Sequence, residues 1–510
     1  MLKLVLGTSG SGKTTLLYAR IRARAEAGKR SILLVPEQFT SSTEARIYRE
    51  LGDALSGMVE SYSFTSLAEH ILAIEGGAAV QTLTDAGRAV LVRRALEELQ
   101  DNVHYYYRHR RSAAFCQMAA ETIDELKSAG LSGQQLQELA RDCGTESAKL
   151  GELALIFQGY ESLLAGTGMD PADRLELAAD RLEAALARDE LPDFLREREV
   201  FIDEFDTFNA PKKRLMGAML AALPAVTVAL CEDGAPMQPG DLELFSGAKQ
   251  VAAQLRQLAR KNGAQVAAPE LLRRDLRHKD APGLAALTEL LETGSCTPPE
   301  SAPELRLFAA ASREEEARCA AAAIRRLMRQ GVRCGKIAVV CRDISLYRAA
   351  VRYEFRMAEI PLYCDEPTTP EFSAPATAVR ALLALLRGAD MTEQLTVLAK
   401  TGLCDLTEPE VCALENYAYT WSPNAAAWRA EFTKSPRGFG DAELTEEDTL
   451  NLTRAENARK KLVTAVDILR SKVRSANAEQ ISRALYFCLK ELGAEGQQAA
   501  QVEDIRAARG

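Results

Sequence analysis

The pattern of apolar and polar residues first alternates short apolar runs with helical stretches. Apolar runs occupy residues 2–6, 32–35 and 58–64, and a helical pattern covers residues 13–27. A continuous apolar run between turn residues is typical of a strand that is buried on both faces. This alternation predicts an α/β domain built on a parallel sheet.

The pattern then becomes purely helical before strands return. Long amphipathic stretches cover residues 87–99, 113–129 and 150–164, and apolar runs reappear at 199–203 and 225–231. We therefore predict a helical insertion at residues 71–194. It divides a first α/β domain made of residues 1–70 and 195–295.

A second alternation follows two loose, Pro- and Gly-containing stretches at residues 236–240 and 294–303. Apolar runs at 305–308, 336–341 and 360–364 predict strands, with helices at 312–330 and 344–357. We expect a second α/β domain to start within residues 300–375. Residues 376–510 are predicted to be a further helical insertion, and we expect the chain to be a fragment of a longer protein.

The glycine-rich turn after the first apolar run carries the first candidate chemistry. Its sequence is Gly-Thr-Ser-Gly-Ser-Gly-Lys-Thr, the pattern of a phosphate-binding P-loop, between a predicted strand and a predicted helix. Its backbone N–H groups and the helix N-terminus would bind phosphate. We expect Lys13 to reach the β- and γ-phosphates and Thr14 to complete a magnesium shell. The predicted nucleotide-binding residues are Gly7, Thr8, Ser9, Gly10, Ser11, Gly12, Lys13, Thr14 and Thr15.

Two acidic residues end the apolar run at 199–203. A buried strand that ends in Asp203 and Glu204 is what a Walker B site requires. Asp203 would hold magnesium, and Glu204 would position or deprotonate the attacking water. Acids at a strand end are also common on surfaces, so the P-loop is what favours the catalytic interpretation. Asp206 is expected to cap the next helix.

Arginines mark two further candidate sites. Arg342 follows the predicted strand 336–341, where it could touch a γ-phosphate across a cleft or simply pair with Asp343. Its position alone favours the ion pair or a solvated side chain. The tract 105–111, Tyr-Tyr-Tyr-Arg-His-Arg-Arg, offers Arg110 and Arg111 to a nucleic-acid backbone. A solvated turn whose tyrosines pack inward explains this tract equally well.

Composition narrows the class of protein. The net charge of −9 excludes a uniformly basic surface but permits a local basic channel. The 11 cysteines contain no C-x-x-C pair, which favours reduced thiols over a zinc site or a disulfide framework. No apolar window is long enough to span a membrane, so we expect a cytoplasmic protein without a membrane partner.

Several stretches, taken in their order along the chain, resemble one known family. They are residues 4–14, Val-Pro-Glu-Gln-Phe-Thr at 35–40, Ser-Phe-Thr-Ser-Leu-Ala at 63–68, Ile-Ala-Val-Val-Cys-Arg-Asp at 337–343 and Ile-Pro-Leu-Tyr-Cys-Asp-Glu at 360–366. Across roughly residues 1–375, they resemble AddB, the B subunit of the bacterial ATP-dependent helicase/deoxyribonuclease. The resemblance implies a superfamily 1, UvrD/Rep-like helicase fold with two RecA-like P-loop domains and large helical insertions.

The resemblance also implies an activity and its partners. Together with a helicase-nuclease partner, the A subunit, the family uses ATP and Mg²⁺ to process double-strand DNA ends for homologous recombination. It implies that Gln38, Thr40, Phe64 and Ser66 line the path of single-stranded DNA. It further implies that Arg342 reaches the γ-phosphate, in preference to the ion pair with Asp343.

The chain also departs from the helicase pattern. Residues 229–234, Ala-Leu-Cys-Glu-Asp-Gly, lack the glutamine usual at this position, no glutamine motif precedes the P-loop, and the last two helicase motifs are missing. We expect ATP binding, leave hydrolysis open and do not expect translocation. Alternatives are a non-motor DNA-binding scaffold and a P-loop NTPase unrelated to DNA. The family's nuclease domain and iron–sulfur cysteines lie toward its C-terminus, and we expect them in the missing part.

Overall fold

The computed structural model describes residues 1–77, 79–236, 244–364, 370–440 and 443–509. They fall into two compact units, Met1–Leu307 and Phe308–Gly510. The first unit contains a six-stranded sheet whose strands are all parallel, which confirms the α/β prediction. The strands are β1 Leu2–Gly7, β2 Ser31–Leu34, β3 Val59–Tyr62, β4 Glu199–Ile202, β5 Ala225–Cys231 and β6 Glu270–Leu272.

The order of the strands determines which loops meet. Across the sheet it is β3-β2-β4-β5-β1-β6, so a single strand, β5, separates β1 from β4. The register pairs Val5 with Ala229 and Phe201 with Thr227. Because the carboxyl ends of parallel strands lie at the same edge, the loops that follow β1 and β4 open on one side of the sheet.

Helices cover both faces of this sheet and also form the segment between β3 and β4. The described residues from 63 to 198 contain helices, turns and one isolated bridge between Thr82 and Met169. The α-helices of the first unit are α1 Lys13–Glu26, α2 Thr40–Leu51, α3 Asp53–Ser56, α4 Phe64–Glu75, α5 Asp85–Glu98, α6 Ala113–Ser128, α7 Gly133–Ala140, α8 Ser147–Leu164, α9 Pro171–Ala187, α10 Ala210–Ala222, α11 Ser246–Lys261 and α12 Pro282–Thr293.

The two sheet faces have separate apolar cores. Leu4 and Ile32 point toward the core shared with α4, α9, α10 and α11, whereas Val5 and Leu33 point toward the core shared with α1 and α2. Successive strand residues alternate between faces, and both faces are covered. This explains why the sequence shows continuous apolar runs in place of an alternating pattern.

A third core joins helices α5, α6 and α8, and a buried ion pair connects this group to α9. The Lys127 ammonium lies 2.8 Å from carboxylate oxygens of both Asp170 and Asp173. The Tyr160 hydroxyl donates to Asp170 at 2.6 Å. Since a buried charge is stabilised only when it is paired and hydrogen-bonded, this cluster fixes the helices against one another.

The second unit is helical in its described part. Two apolar cores hold its helices together, one of which joins α13 to α14. The helices are α13 Arg313–Arg329, α14 Ile344–Met357, α15 Ala374–Leu386, α16 Met391–Lys400, α17 Glu408–Trp421, α18 Ala425–Arg429, α19 Glu446–Val473, α20 Ala478–Glu491 and α21 Ala494–Arg509.

The strands predicted at 305–308, 336–341 and 360–364 are wrong for this structure. These segments are extended or in turns, and no described strand pairs with them. Leu307, Val340 and Tyr363 are 99%, 90% and 87% exposed. An apolar extended segment becomes a strand only when a neighbouring backbone satisfies its N–H and C=O groups. Residues 237–240 of the predicted linker, and Asp365 and Glu366, lie outside the described residues.

Candidate functional site

The glycine-rich loop between β1 and α1 has the backbone geometry that its sequence predicts. Gly10 and Gly12 have φ of 83° and 92°, the left-handed region that favours glycine. At Gly7, an added Cβ would lie 2.7 Å from the Leu272 carbonyl oxygen, so a side chain has no room. The Lys13 ammonium donates to the carbonyl oxygens of Gly7 at 2.8 Å and of Thr8 at 2.9 Å. Lys13 is therefore held directly over the loop.

The two acids that follow β4 differ in environment. Asp203 is 5% exposed, its N–H donates to the Leu34 carbonyl at 3.1 Å, and its Oδ1 accepts from the Glu204 N–H at 3.0 Å. Burial raises the pKa of Asp203, while the nearby Thr14 side chain and the hydrogen bond from the Glu204 N–H act in the opposite direction. Desolvation raises the pKa of Glu204, and the charge of Asp203 raises it further.

Glu204 also adopts a backbone conformation that is unusual for its residue type. Its φ is 65°, in the left-handed region where a side chain is disfavoured. Strain of this kind persists where the surrounding structure holds it, and it is frequent at functional sites. The turn places Glu204 at the cavity that Asp203 also lines.

Asp206 does not cap the next helix. Helix α10 begins after Asn209, whose side chain accepts a hydrogen bond from the Lys212 N–H at 3.1 Å. Asp206 lies three residues before this cap and lines the same cavity as Asp203. The helix-cap interpretation was therefore wrong, because Asn209, immediately before the helical pattern, satisfies the free N–H group.

A cavity of about 440 Å³ brings the predicted residues together. The loop after β1 contributes one wall and the loop after β4 contributes another. Gly7, Thr8 and Ser11 do not line it, and Ser11 is buried. The predicted residues that line it are Ser9, Gly10, Gly12, Lys13, Thr14, Thr15, Asp203 and Glu204.

The same cavity contains two arginines that sequence reasoning missed. Arg277 follows β6, and its guanidinium donates to the Ser9 hydroxyl at 3.3 Å, while the Leu276 N–H donates to the Gly10 carbonyl at 3.0 Å. The signal available was a basic residue after an apolar run at the same sheet edge, but β6 is only three residues long. Arg46 lies on α2 and has no local motif.

Magnesium is the ion that the donor set in this cavity fits. The Thr14 hydroxyl and the Asp203 carboxylate, which line the same cavity, are hard oxygen donors. No group of three or more His, Cys, Asp or Glu among the described side chains could hold a metal ion. Two protein ligands, completed by water and phosphate oxygens, are what Mg²⁺ commonly takes.

A second cavity, of about 390 Å³, lies beside the first and shares Phe205 with it. Gln38, Phe64 and Thr65 line this second cavity. Phe64 is only 2% exposed and packs edge-on against Phe205 at 5.3 Å between ring centroids, so it forms the wall and does not project into the cavity.

The other predicted DNA-path residues have different surroundings. Ser66 forms a capping box with Ser63 at the start of α4. Thr40 begins α2, but its side chain lies outside the described residues. Of the four residues predicted to line the DNA path, Gln38 and Phe64 line the second cavity.

The basic tract of the helical segment is partly engaged in packing. The Arg110 guanidinium lies 3.9 Å from the Tyr107 ring centroid and donates to the Tyr107 carbonyl at 3.2 Å. Tyr106 and Tyr107 pack against the core of α5, α6 and α8, while Arg111 is exposed. Neither arginine lines the second cavity.

Arg342 belongs to the second unit and is exposed. Asp343 does not pair with it. The Asp343 carboxylate caps α14 by accepting from the Ser345 N–H at 2.9 Å. The alternatives to a phosphate contact were an ion pair with Asp343 and a solvated side chain. Within this unit, Arg342 is solvated.

The parallel sheet, the glycine-rich loop after β1 and the acids after β4 define a helicase-like α/β protein with helical insertions. No helix in the described ranges is long and apolar enough to cross a membrane.

Comparisons with known proteins identify the family. A family model described as "ADDB, N-terminal" matches residues 4–288, and the chain belongs to this family, which confirms the resemblance. A relative from Moorella thermoacetica, named as the B subunit of an ATP-dependent helicase/deoxyribonuclease, is 30% identical over 100% of this chain and 46% of its own length. Relatives of the same name from Desulforudis audaxviator and Clostridium perfringens are 30% and 27% identical, over 97% and 91% of this chain. These matches cover 44% and 41% of the two relatives, so the chain spans less than half the length of all three.

Proposed function

We propose that this chain is the ATP-binding part of the B subunit of an ATP-dependent helicase/deoxyribonuclease. One observation carries the proposal. Strands β1 and β4, separated only by β5, direct Lys13 and Thr14 on one side and Asp203 and Glu204 on the other into a single cavity. A phosphate-binding lysine facing a carboxylate pair is the arrangement that Mg²⁺-dependent cleavage of a nucleoside triphosphate requires.

Each side chain has a chemical role in this proposal. The loop N–H groups and the N-terminus of α1 bind phosphate oxygens, and Lys13 exchanges its two carbonyl partners for the β- and γ-phosphates. Thr14 and Asp203 would hold Mg²⁺, which would neutralise phosphate charge. Glu204 orients or deprotonates the attacking water, a task that its raised pKa suits. The role of Arg342 at the γ-phosphate is part of the proposal only through the family resemblance.

The second cavity is proposed to lie on the path of single-stranded DNA. It adjoins the first cavity through Phe205, and Gln38 and Lys212 provide polar and cationic groups along it. With its helicase-nuclease partner, the A subunit, the complete protein would process double-strand DNA ends in recombinational repair, in the cytoplasm. An iron–sulfur cluster and the nuclease centre would belong to sequence beyond these residues.

A non-motor DNA-binding scaffold is the second candidate. It is favoured by the segment after β5, where helicases carry a glutamine. Here Asp233 lies 2.9 Å from the buried Lys249 ammonium. An aspartate that pairs with a buried lysine is poorly suited to switching with the state of the nucleotide, because its departure would leave the lysine charge unpaired.

ATP turnover with and without single-stranded DNA separates these functions. The helicase proposal expects hydrolysis that DNA stimulates. Bound ATP without turnover would support the scaffold. Turnover at one rate regardless of DNA would contradict both DNA functions and leave an NTPase unrelated to DNA.

Replacing Arg110 and Arg111 together with alanine should weaken the salt dependence of DNA binding. If each arginine neutralises one phosphate of single-stranded DNA, the log–log salt slope becomes shallower by about 1.4. The measurement is DNA affinity across a series of salt concentrations. Arg93→Ala with Arg94→Ala is the matched control, because these α5 arginines already pair with Glu97 and Glu98. An unchanged slope in the Arg110/Arg111 variant would remove both residues from the DNA site.

A further inference from the structure

Arg46 is a cation in the first cavity that none of the motifs accounts for. It lies on α2 and lines the cavity together with Lys13, Asp203 and Glu204. Its guanidinium carbon is 4.8 Å from the centroid of the Tyr18 ring. Tyr18 belongs to α1, the helix that begins at Lys13. The helix of the phosphate-binding loop thus provides the surface that holds Arg46 at the cavity.

The partners of Arg46 leave its hydrogen-bond donors available. No carboxylate in the described part of the chain lies within 4.0 Å of its guanidinium, so the aromatic face of Tyr18 positions it in place of an ion pair. Guanidinium carries five N–H donors in a planar fork, and the fork matches the oxygens of a phosphate. A cation–π contact holds the group in place without using those donors.

Arg46 lines the same cavity as the two acids, Asp203 and Glu204. Its charge acts on both Asp203 and Glu204, where it opposes the rise in pKa that burial causes. Arg277 instead donates to the Ser9 hydroxyl of the glycine-rich loop. The proposed Mg²⁺ and the outermost phosphate would lie beside the carboxylates and Thr14.

Arg49, on the same helix, is a solvated arginine with which Arg46 can be compared. Arg49 is on the next turn of α2, is exposed and lines neither cavity. Arg46 is partly buried, stacked on a ring and directed at the same cavity as the acids. This contrast indicates that Arg46 acts inside the cavity and is not simply a solvated charge on the surface of the helix.

We propose that Arg46 binds the terminal phosphate of a nucleoside triphosphate and so lets the first unit distinguish the triphosphate from the diphosphate. The assignment rests on the proposed ATP-binding function and deepens it. It places an arginine for the γ-phosphate within the same unit as the glycine-rich loop, whereas Arg342 belongs to the second unit. Discrimination between the two nucleotides then depends on Arg46 whether or not Arg342 takes part.

The test compares ATP and ADP affinity in the presence of Mg²⁺ for the 510-residue chain. Arg46→Ala should weaken ATP binding by roughly 10- to 100-fold, the loss expected for hydrogen bonds to a charged group, and leave ADP within about twofold. Arg46→Lys should recover only part of the ATP affinity, because an ammonium cannot bind a phosphate with a fork of two donors. Arg49→Ala is the matched control and should bind both nucleotides like the wild type.

Every outcome of this comparison is decisive. Equal losses for ATP and ADP, or no loss for either, would overturn the assignment of Arg46 while leaving the ATP site in place. A wild-type chain that binds neither nucleotide would overturn the proposed function and the assignment with it. Thermal melting checks that the variants are folded. If Arg46→Ala fails to fold, the ATP-to-ADP affinity ratio of Arg46→Lys decides the question.

Discussion

Replacing Lys13 with alanine is expected to lower ATP turnover by on the order of 100-fold or more, the loss typical when a charged group that stabilises the transition state is removed. The Lys13 ammonium lies 2.8 and 2.9 Å from two carbonyl oxygens of the glycine-rich loop, which holds it over the place where phosphate would bind. Burial lowers the pKa of Lys13, and nearby Asp203 opposes this effect. Alanine removes both the charge and the hydrogen bonds.

Steady-state phosphate release, with single-stranded DNA present, measures this effect. Lys29→Ala is the control, because Lys29 is exposed on the loop between α1 and β2. Its turnover should equal that of the wild type. Turnover of the Lys13 variant at the wild-type rate would show that ATP is not hydrolysed in this cavity. DNA binding by the same variant should persist, since the second cavity does not include Lys13.

Local patterns were sufficient to predict the first unit and half of its cavity. Strands β1, β2, β4 and β5 are buried on both faces, so each appears in the sequence as a mainly apolar run. The glycine-rich loop requires glycine for reasons confined to a few residues, namely positive φ and lack of space. Chemistry that depends on short-range backbone geometry can be predicted from sequence.

The remaining cavity residues depend on contacts that are distant in sequence. Arg277 reaches Ser9 only because β6 pairs with β1, and a three-residue strand that follows a proline and precedes two arginines has no distinctive pattern. Arg46 lines the cavity because α2 packs against Tyr18 of α1. Neither pairing is visible in the spacing of residues along the chain.

The second unit shows that an apolar pattern can also predict strands that the structure does not form. The segments that contain Val340 and Tyr363 have the composition of buried strands. These two residues are nevertheless exposed, and no described strand pairs with their segments. A preference for the extended conformation is realised only when another strand supplies hydrogen-bond partners. Pattern alone indicates that a segment suits a sheet, but it does not say which strand lies beside it.

Replacing Asp203 with asparagine should have opposite effects on activity and on stability. Turnover should fall on the order of 100-fold, because a neutral amide is a poor ligand for Mg²⁺ at this position. Without nucleotide and Mg²⁺, the variant should be the more stable protein at neutral pH, with a Tm higher by roughly 2 °C. The carboxylate is 5% exposed and burial disfavours its charge, whereas asparagine keeps an Oδ1 that can accept from the Glu204 N–H at 3.0 Å.

The pH dependence of the Tm difference shows whether the variant is more stable because a buried charge is removed or because packing is improved. Because the pKa of Asp203 is raised above the ordinary value of 3.8, the folded chain retains its proton at a pH where the unfolded chain has lost it. The free energy of unfolding of the wild type therefore falls as pH rises from that value through the raised pKa. The Tm difference between variant and wild type should be small at the acidic end of this range and reach its full size above it. A difference that stays constant with pH, or a variant less stable than the wild type at neutral pH, would show that the Asp203 carboxylate is not destabilised by burial, and that the folded chain already compensates its charge.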